Sequence, residues 1–265
     1  MRPPTAAVGL SRYSQRVTHH SAEPDGLRES LLTQLEHVQL RLHGEAALVG
    51  ADETDPGTLD WNASAYISIF ADEDEGNHPW HAADGVALAR TTRNSDHTEL
   101  VMFEADGLIV DLQHVDDVFD ALDARSQDYA DFIPIFGRTH SFGILNLVSD
   151  LEETLEPGGN RVVIVDRVRL APAWRGLGGV GRLLTGRLLR WVCDDPQVVV
   201  VHPFPTELDQ DALDDPAVFD PAMQRVRQVW ASLGFERHTD DIWFMDPRLT
   251  THSDALAAFA RRLRL

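Results

Sequence analysis

The residues Arg175-Gly176-Leu177-Gly178-Gly179-Val180-Gly181-Arg182 have the types and spacing to hold a pyrophosphate. Glycines let the main chain approach an anion closely, with N–H groups turned toward it. Leu184, Leu188 and Trp191 recur on one face of a helix expected over 179–193, whose N-terminus presents roughly half a positive charge. Arg175, Arg182 and Arg187 add full charges and forked donors that suit phosphate oxygens. Before the turn, 162–170 reads as a strand and Ala171-Pro172-Ala173-Trp174 as a short bend.

The charge distribution points to the same place. The chain carries 43 acidic and 23 basic residues, a net charge of −20, which repels a phosphate backbone over most of the surface and excludes nucleic acid as the expected partner. Between 161 and 193, however, seven arginines face one acid, Asp166. An anionic ligand has one obvious destination.

Several cofactor sites use glycine turns. A P-loop is excluded because the chain contains no lysine. Gly176-x-Gly178-x-x-Gly181 matches the dinucleotide pattern, but there the first glycine sits at the strand end, whereas five residues, 171–175, intervene here. The acid expected about 20 residues later, at the tip of the next strand, is replaced by His202.

The same residues resemble the GNAT acetyltransferase superfamily more closely. Its signature is a strand ending in hydrophobic-x-Pro-x-x-Arg-Gly-x-Gly, supplied by Leu170-Ala-Pro172-Ala-Trp-Arg175-Gly176-Leu-Gly178, with Leu183 and Leu184 at the usual offset. The likeness continues through Val198–Val201 and Trp230-Ala-Ser-Leu-Gly234-Phe235. It implies an α/β fold with a mixed, largely antiparallel twisted sheet and helices on both faces. Acetyl-CoA would be the acyl donor, its pantetheine arm paired with the backbone of Val168, Arg169 and Leu170. Its pyrophosphate would lie on the N–H groups of Arg175, Gly176, Leu177, Gly178, Gly179 and Val180, with Gly181 and Arg182 beside it. Two departures stand out. Either Val180 occupies a place usually held by a small residue or the loop carries one extra glycine, and Trp230 takes the place of a tyrosine that commonly protonates the departing thiolate.

In such a reaction a deprotonated amine attacks the acyl carbonyl, so a base is needed for an amine of pKa near ~10. Asp166, His202 and Glu207 are the candidates, the last within 202–215, a stretch holding five acids. The expected acceptor is a small cationic amine or a protein amine. A second reading is an acyl-CoA-binding sensor without turnover, favoured by Trp230, and a third a nucleotide-dependent oxidoreductase. Trp230 and Phe235 read as core aromatics and Cys193 as a buried thiol.

The elements that position these residues follow from periodicity. Residues 1–25 read as a mobile tail and 26–265 as a single domain, with its cofactor-binding core at 160–246. Leu27, Leu31 and Leu35 suggest a helix, and 38–42, 65–70 and 85–90 suggest strands. Asp106-Gly107 between 99–104 and 108–112 predicts a hairpin. Apolar spacing over 115–133 predicts one helix, and Asp220-Pro221 the start of another that stops at Gly234. A hairpin at Asp240-Asp241 and a helix over 255–265 close the chain. His78 and His81 near the acids at 72–75 have ligand types for a metal, but Pro79 keeps them off one regular helical face, and none is expected. With one cysteine and no long apolar run, the chain reads as cytoplasmic, away from any membrane.

Overall fold

The structure, a computed structural model, describes residues 24–45, 57–70, 79–94, 97–137, 145–192 and 194–265. Among them the strands are β1 (Gln39–Glu45), β2 (Thr58–Phe70), β3 (Ala89–Asn94), β4 (His97–Asp111), β5 (Arg161–Leu170), β6 (Val198–Val201), β7 (Glu236–Arg237) and β8 (Trp243–Met245). They form one sheet in the order β1-β2-β4-β5-β6-β8-β7, with β3 also on β4. Every pairing is antiparallel except that of β5 with β6. The helices are α1 (Pro24–Thr33), α2 (Val118–Asp123), α3 (Gln127–Ala130), α4 (Ser149–Glu152), α5 (Val180–Leu189), α6 (Gln210–Leu213), α7 (Pro216–Ala231) and α8 (Thr250–Leu263).

Central strands buried on both faces read as unbroken apolar runs, and β5 does so over 162–165 and β6 over all four of its residues. Val163, Val165, Val199 and Val201 enter one core with Leu31 of α1, Leu188 of α5, Trp230 of α7 and Leu256 of α8. Their neighbours Val162, Ile164, Val198 and Val200 enter a second core with Val118 and Leu122 of α2, Phe132, and Leu151 of α4. The fold is therefore α/β, with a mostly antiparallel open sheet covered on both faces. No helix among the described residues is long and apolar enough to cross a membrane.

The expected hairpin at Asp106-Gly107 is instead the middle of β4, one 15-residue strand. Glycine is needed there for approach rather than for turning. A Cβ at position 107 would lie 2.0 Å from the Ile164 carbonyl oxygen and 2.7 Å from the Trp61 ring. The expected long helix over 115–133 is broken into α2, α3 and a 3-10 turn, Ile133–Ile135. Ser126 is extended, and its hydroxyl accepts from the Tyr129 N–H, which restarts the chain locally.

Other boundaries shift by recognisable causes. The strand expected at 85–90 is β3, later by four residues, and β2 begins seven residues before the expected 65. Of the Asp-Pro pairs at 215–216 and 220–221, the earlier starts α7: Asp215 accepts from the Ala217 N–H and Pro216 takes the first position, leaving Pro221 inside the helix. Its end lies where expected, with Gly234 left-handed and the Phe235 N–H donating 3.2 Å to the Trp230 carbonyl. Asp240 and Asp241, both left-handed, turn β7 into β8. Helix α5 stops at Leu189, so Trp191 leaves its apolar face and is 63% exposed. Helix α8 begins at Thr250 rather than 255. Pro24 and Asp25, assigned to the tail, open α1. The rest of the tail, His78 with the acids at 72–75, and Cys193 lie outside the described residues.

Replacing Gly107 with Ala should destabilise the protein by about 3 kcal/mol in urea unfolding, the upper end of the range for overpacking. A loss below about 1 kcal/mol would fit an exposed turn glycine and contradict the close approach.

Candidate functional site

The site originates in a bulge. Asp106 pairs with Arg167 and Gly107 with Val165, so Asp166 is an extra residue in β5. The extra residue resets the alternation of side chains. Val168 and Leu170 pack toward the core shared with α5, while Arg169 turns to Glu104, 2.5 Å away.

Strand β6 follows β5 for four residues, from Val162↔Val198 to Val165↔Val201. His202-Pro203-Phe204-Pro205 then leads away, and proline cannot extend a ladder. From Asp166 to Leu170, the β5 edge on the β6 side has no described strand beside it. A cavity of about 750 Å³ occupies this gap, walled by β5, the glycine turn, the loop after β6, and α7.

The glycine turn closes one end. A 3-10 turn, Pro172–Trp174, precedes it, anchored by the buried Trp174 Nε1–H donating 2.8 Å to the Val86 carbonyl. Gly176, Gly178 and Gly179 have φ of 70°, 80° and 110°, conformations that a side chain would strain. Gly179 is the N-cap of α5, and no side chain caps the first turn. Its N-terminal residues Val180, Gly181 and Arg182 line the cavity, offering N–H groups and the helix dipole to an anion.

The expected cofactor-binding residues divide. Val168, Leu170, Arg175, Gly176, Gly178, Gly179, Val180, Gly181 and Arg182 all line the cavity. Leu177 does not; its side chain is buried in the core. The Arg169 side chain faces Glu104, and the residue is not part of the cavity lining. Arg187 lies in a separate, smaller hollow with Arg190 and Trp191. Arg175 is already occupied: its guanidinium donates to the Leu170 carbonyl at 2.9 and 2.7 Å and pairs with Glu207. Glu207 is thus a bridge across the cleft rather than an uncommitted base.

Asp166 presents a different environment. Burial, then the Asp106 charge, pushes its carboxyl up to about 6, and a hydrogen bond between the two carboxyls acts in the same direction. Tyr129 of α3 lies within the same field; burial, then Asp166 and Asp106, raise its phenol. His202 lines the cavity with Nδ1 3.9 Å from Asp131 Oδ2. Trp230 is buried edge-on to Phe235, at 4.9 Å between ring centroids, and touches the cavity wall.

Three contributors were missed from sequence. Asp106, read from its Asp-Gly pair as a turn residue, flanks the bulge beside Asp166 without itself lining the cavity. Arg225 of α7 and Arg262 of α8 line the cavity; the basic end of the last helix was the available signal for Arg262. Among the described residues, no group of three or more His, Cys, Asp or Glu side chains is placed to hold a metal ion. No family model matches the chain, and no curated protein or solved structure matches it.

Because Asp166 holds its proton more tightly in the folded protein than its ordinary 3.8, ionising it costs stability, and the loss develops as pH rises from about 4 to about 6. Asp166→Asn should therefore melt higher than the native protein at pH 8, with the advantage shrinking toward pH 4. A melting-temperature difference independent of pH would contradict the assignment.

Proposed function

We propose that this chain is an acyl-CoA-dependent N-acyltransferase of the GNAT kind, transferring an acetyl group to an amine within a ternary complex. The observation that carries the reading is the free β5 edge running from Asp166 toward a glycine turn and the N-terminus of α5. An extended pantetheine arm would add to that edge as a strand does, and its diphosphate would meet the turn. The dinucleotide reading loses support, because its doubly wound sheet is parallel and β5–β6 is the single parallel pair among the described strands.

Asp166 is the base this reading favours. An acceptor enters as an ammonium cation, which the Asp106–Asp166 pair attracts. One proton passes to the Asp166 carboxylate, the amine nitrogen bonds to the acyl carbon and gives up its second proton to solvent, and the carbon–sulfur bond breaks to release the coenzyme A thiolate. The raised affinity of Asp166 for a proton makes it a stronger base than an ordinary carboxylate. Trp230 cannot donate a proton to the thiolate, so solvent or another group does so. A non-catalytic acyl-CoA sensor is the second reading, favoured by Trp230 and by the engagement of Glu207 with Arg175.

Acetyl-CoA and coenzyme A should raise the melting temperature of the native protein, and Arg175→Glu combined with Gly178→Asp should abolish the shift. A shift with NAD or NADP alone would overturn the reading. In an amine screen that reports free thiol, Asp166→Asn should lower kcat by about 10²-fold, and native activity should rise through about pH 6 as Asp166 ionises. Binding of acetyl-CoA with no thiol release from any amine would favour the sensor.

A further inference from the structure

Resting on the reading that a coenzyme A thioester fills the cavity, we propose that Arg262 of α8 joins Arg182 of α5 as a two-arginine phosphate clamp. A helix outside the strand–turn–helix segment would then take part in holding the carrier.

In a chain of net charge −20, several arginines pair with acids: Arg41 with Glu99, Arg125 with Asp60, Arg227 with Asp241 and Arg248 with Asp246. Among the described residues no carboxylate pairs with Arg182 or Arg262. Both line the same cavity, and they stand close enough that, after burial, the Arg262 charge is what depresses the Arg182 pKa. Two uncompensated like charges at one cavity wall cost energy that an anion between them removes.

The geometry supports a prepared site. The Arg182 guanidinium lies 4.7 Å over the Phe259 ring and donates to Ser232 Oγ at 3.3 Å, which fixes its plane. Helix α8 approaches the turn because the turn lacks side chains. A Cβ at Gly178 would meet Leu263 at 3.2 Å and the Arg262 side chain at 3.8 Å, and one at Gly179 would meet Phe259 at 2.9 Å. Arg262 is therefore beside the backbone that receives the diphosphate in the reading above. Guanidinium forks match phosphate oxygens, whether of the diphosphate bridge or of a terminal monoester.

Calorimetric titration of the full chain with coenzyme A, dephospho-coenzyme A and inorganic pyrophosphate tests the clamp, using Arg262→Gln and, as a control, Arg261→Gln. The control removes the same charge from the adjacent exposed position, outside the cavity lining. Arg262→Gln should weaken coenzyme A about tenfold, the scale of one charge-assisted contact, and Arg261→Gln less than about twofold. An equal loss with dephospho-coenzyme A assigns the clamp to the diphosphate; a loss confined to coenzyme A assigns it to the monoester. Native-like affinity in Arg262→Gln, or an equal loss in Arg261→Gln, overturns the clamp and leaves the acyl-CoA reading intact. If coenzyme A fails to bind but pyrophosphate does so in an Arg262-dependent way, the clamp stands and the acyl-CoA reading falls. Binding of neither removes both.

Discussion

The parallel pairing of β5 with β6 lasts four residues, and the rest of the site depends on where it stops. Asp166 enters β5 as an extra residue at that point, and the prolines after His202 carry β6 out of the sheet. Backbone groups that a fifth and sixth pair would have used are left at the wall of a cavity. Unpaired edge groups in a concave site form a template for an extended ligand. Arg175 takes the Leu170 carbonyl, so the groups still open to a ligand lie between Asp166 and that carbonyl.

The opening also joins two regions of opposite charge. On the α5 side, Arg182 and Arg262 stand beside glycines that bare the backbone. At the bulge, Asp166 and Asp106 share a partly desolvated environment with Tyr129. Between them the Arg175–Glu207 pair spans the cleft. A ligand with phosphates at one end and a reactive carbonyl at the other fits this polarity, and a cationic acceptor would approach from the acidic end.

The glycine turn and its arginines were legible from sequence because each depends on local chemistry: left-handed backbone, a helix start and charge. So were β6, the end of α7, and the Asp240-Asp241 turn. Asp106-Gly107 misled because an Asp-Gly pair signals a turn unless another strand presses against the glycine, and that pressure, from Ile164, comes from 57 residues away in sequence. The broken helix over 115–133 has helical apolar spacing throughout; only the capping oxygens of Asp117 and Ser126 divide it. Glu207 was an available carboxylate in one dimension and an arginine partner in three. Arg262 joins the site through packing of α8 on α5, which no local pattern encodes.

Amide hydrogen exchange with and without acetyl-CoA addresses the central claim, that the free edge of β5 is the ligand's docking line. The account predicts added protection concentrated in 166–170 and in 176–182, with β1 and β2 unchanged. Protection that spares 166–170, or that NAD produces equally, would contradict it.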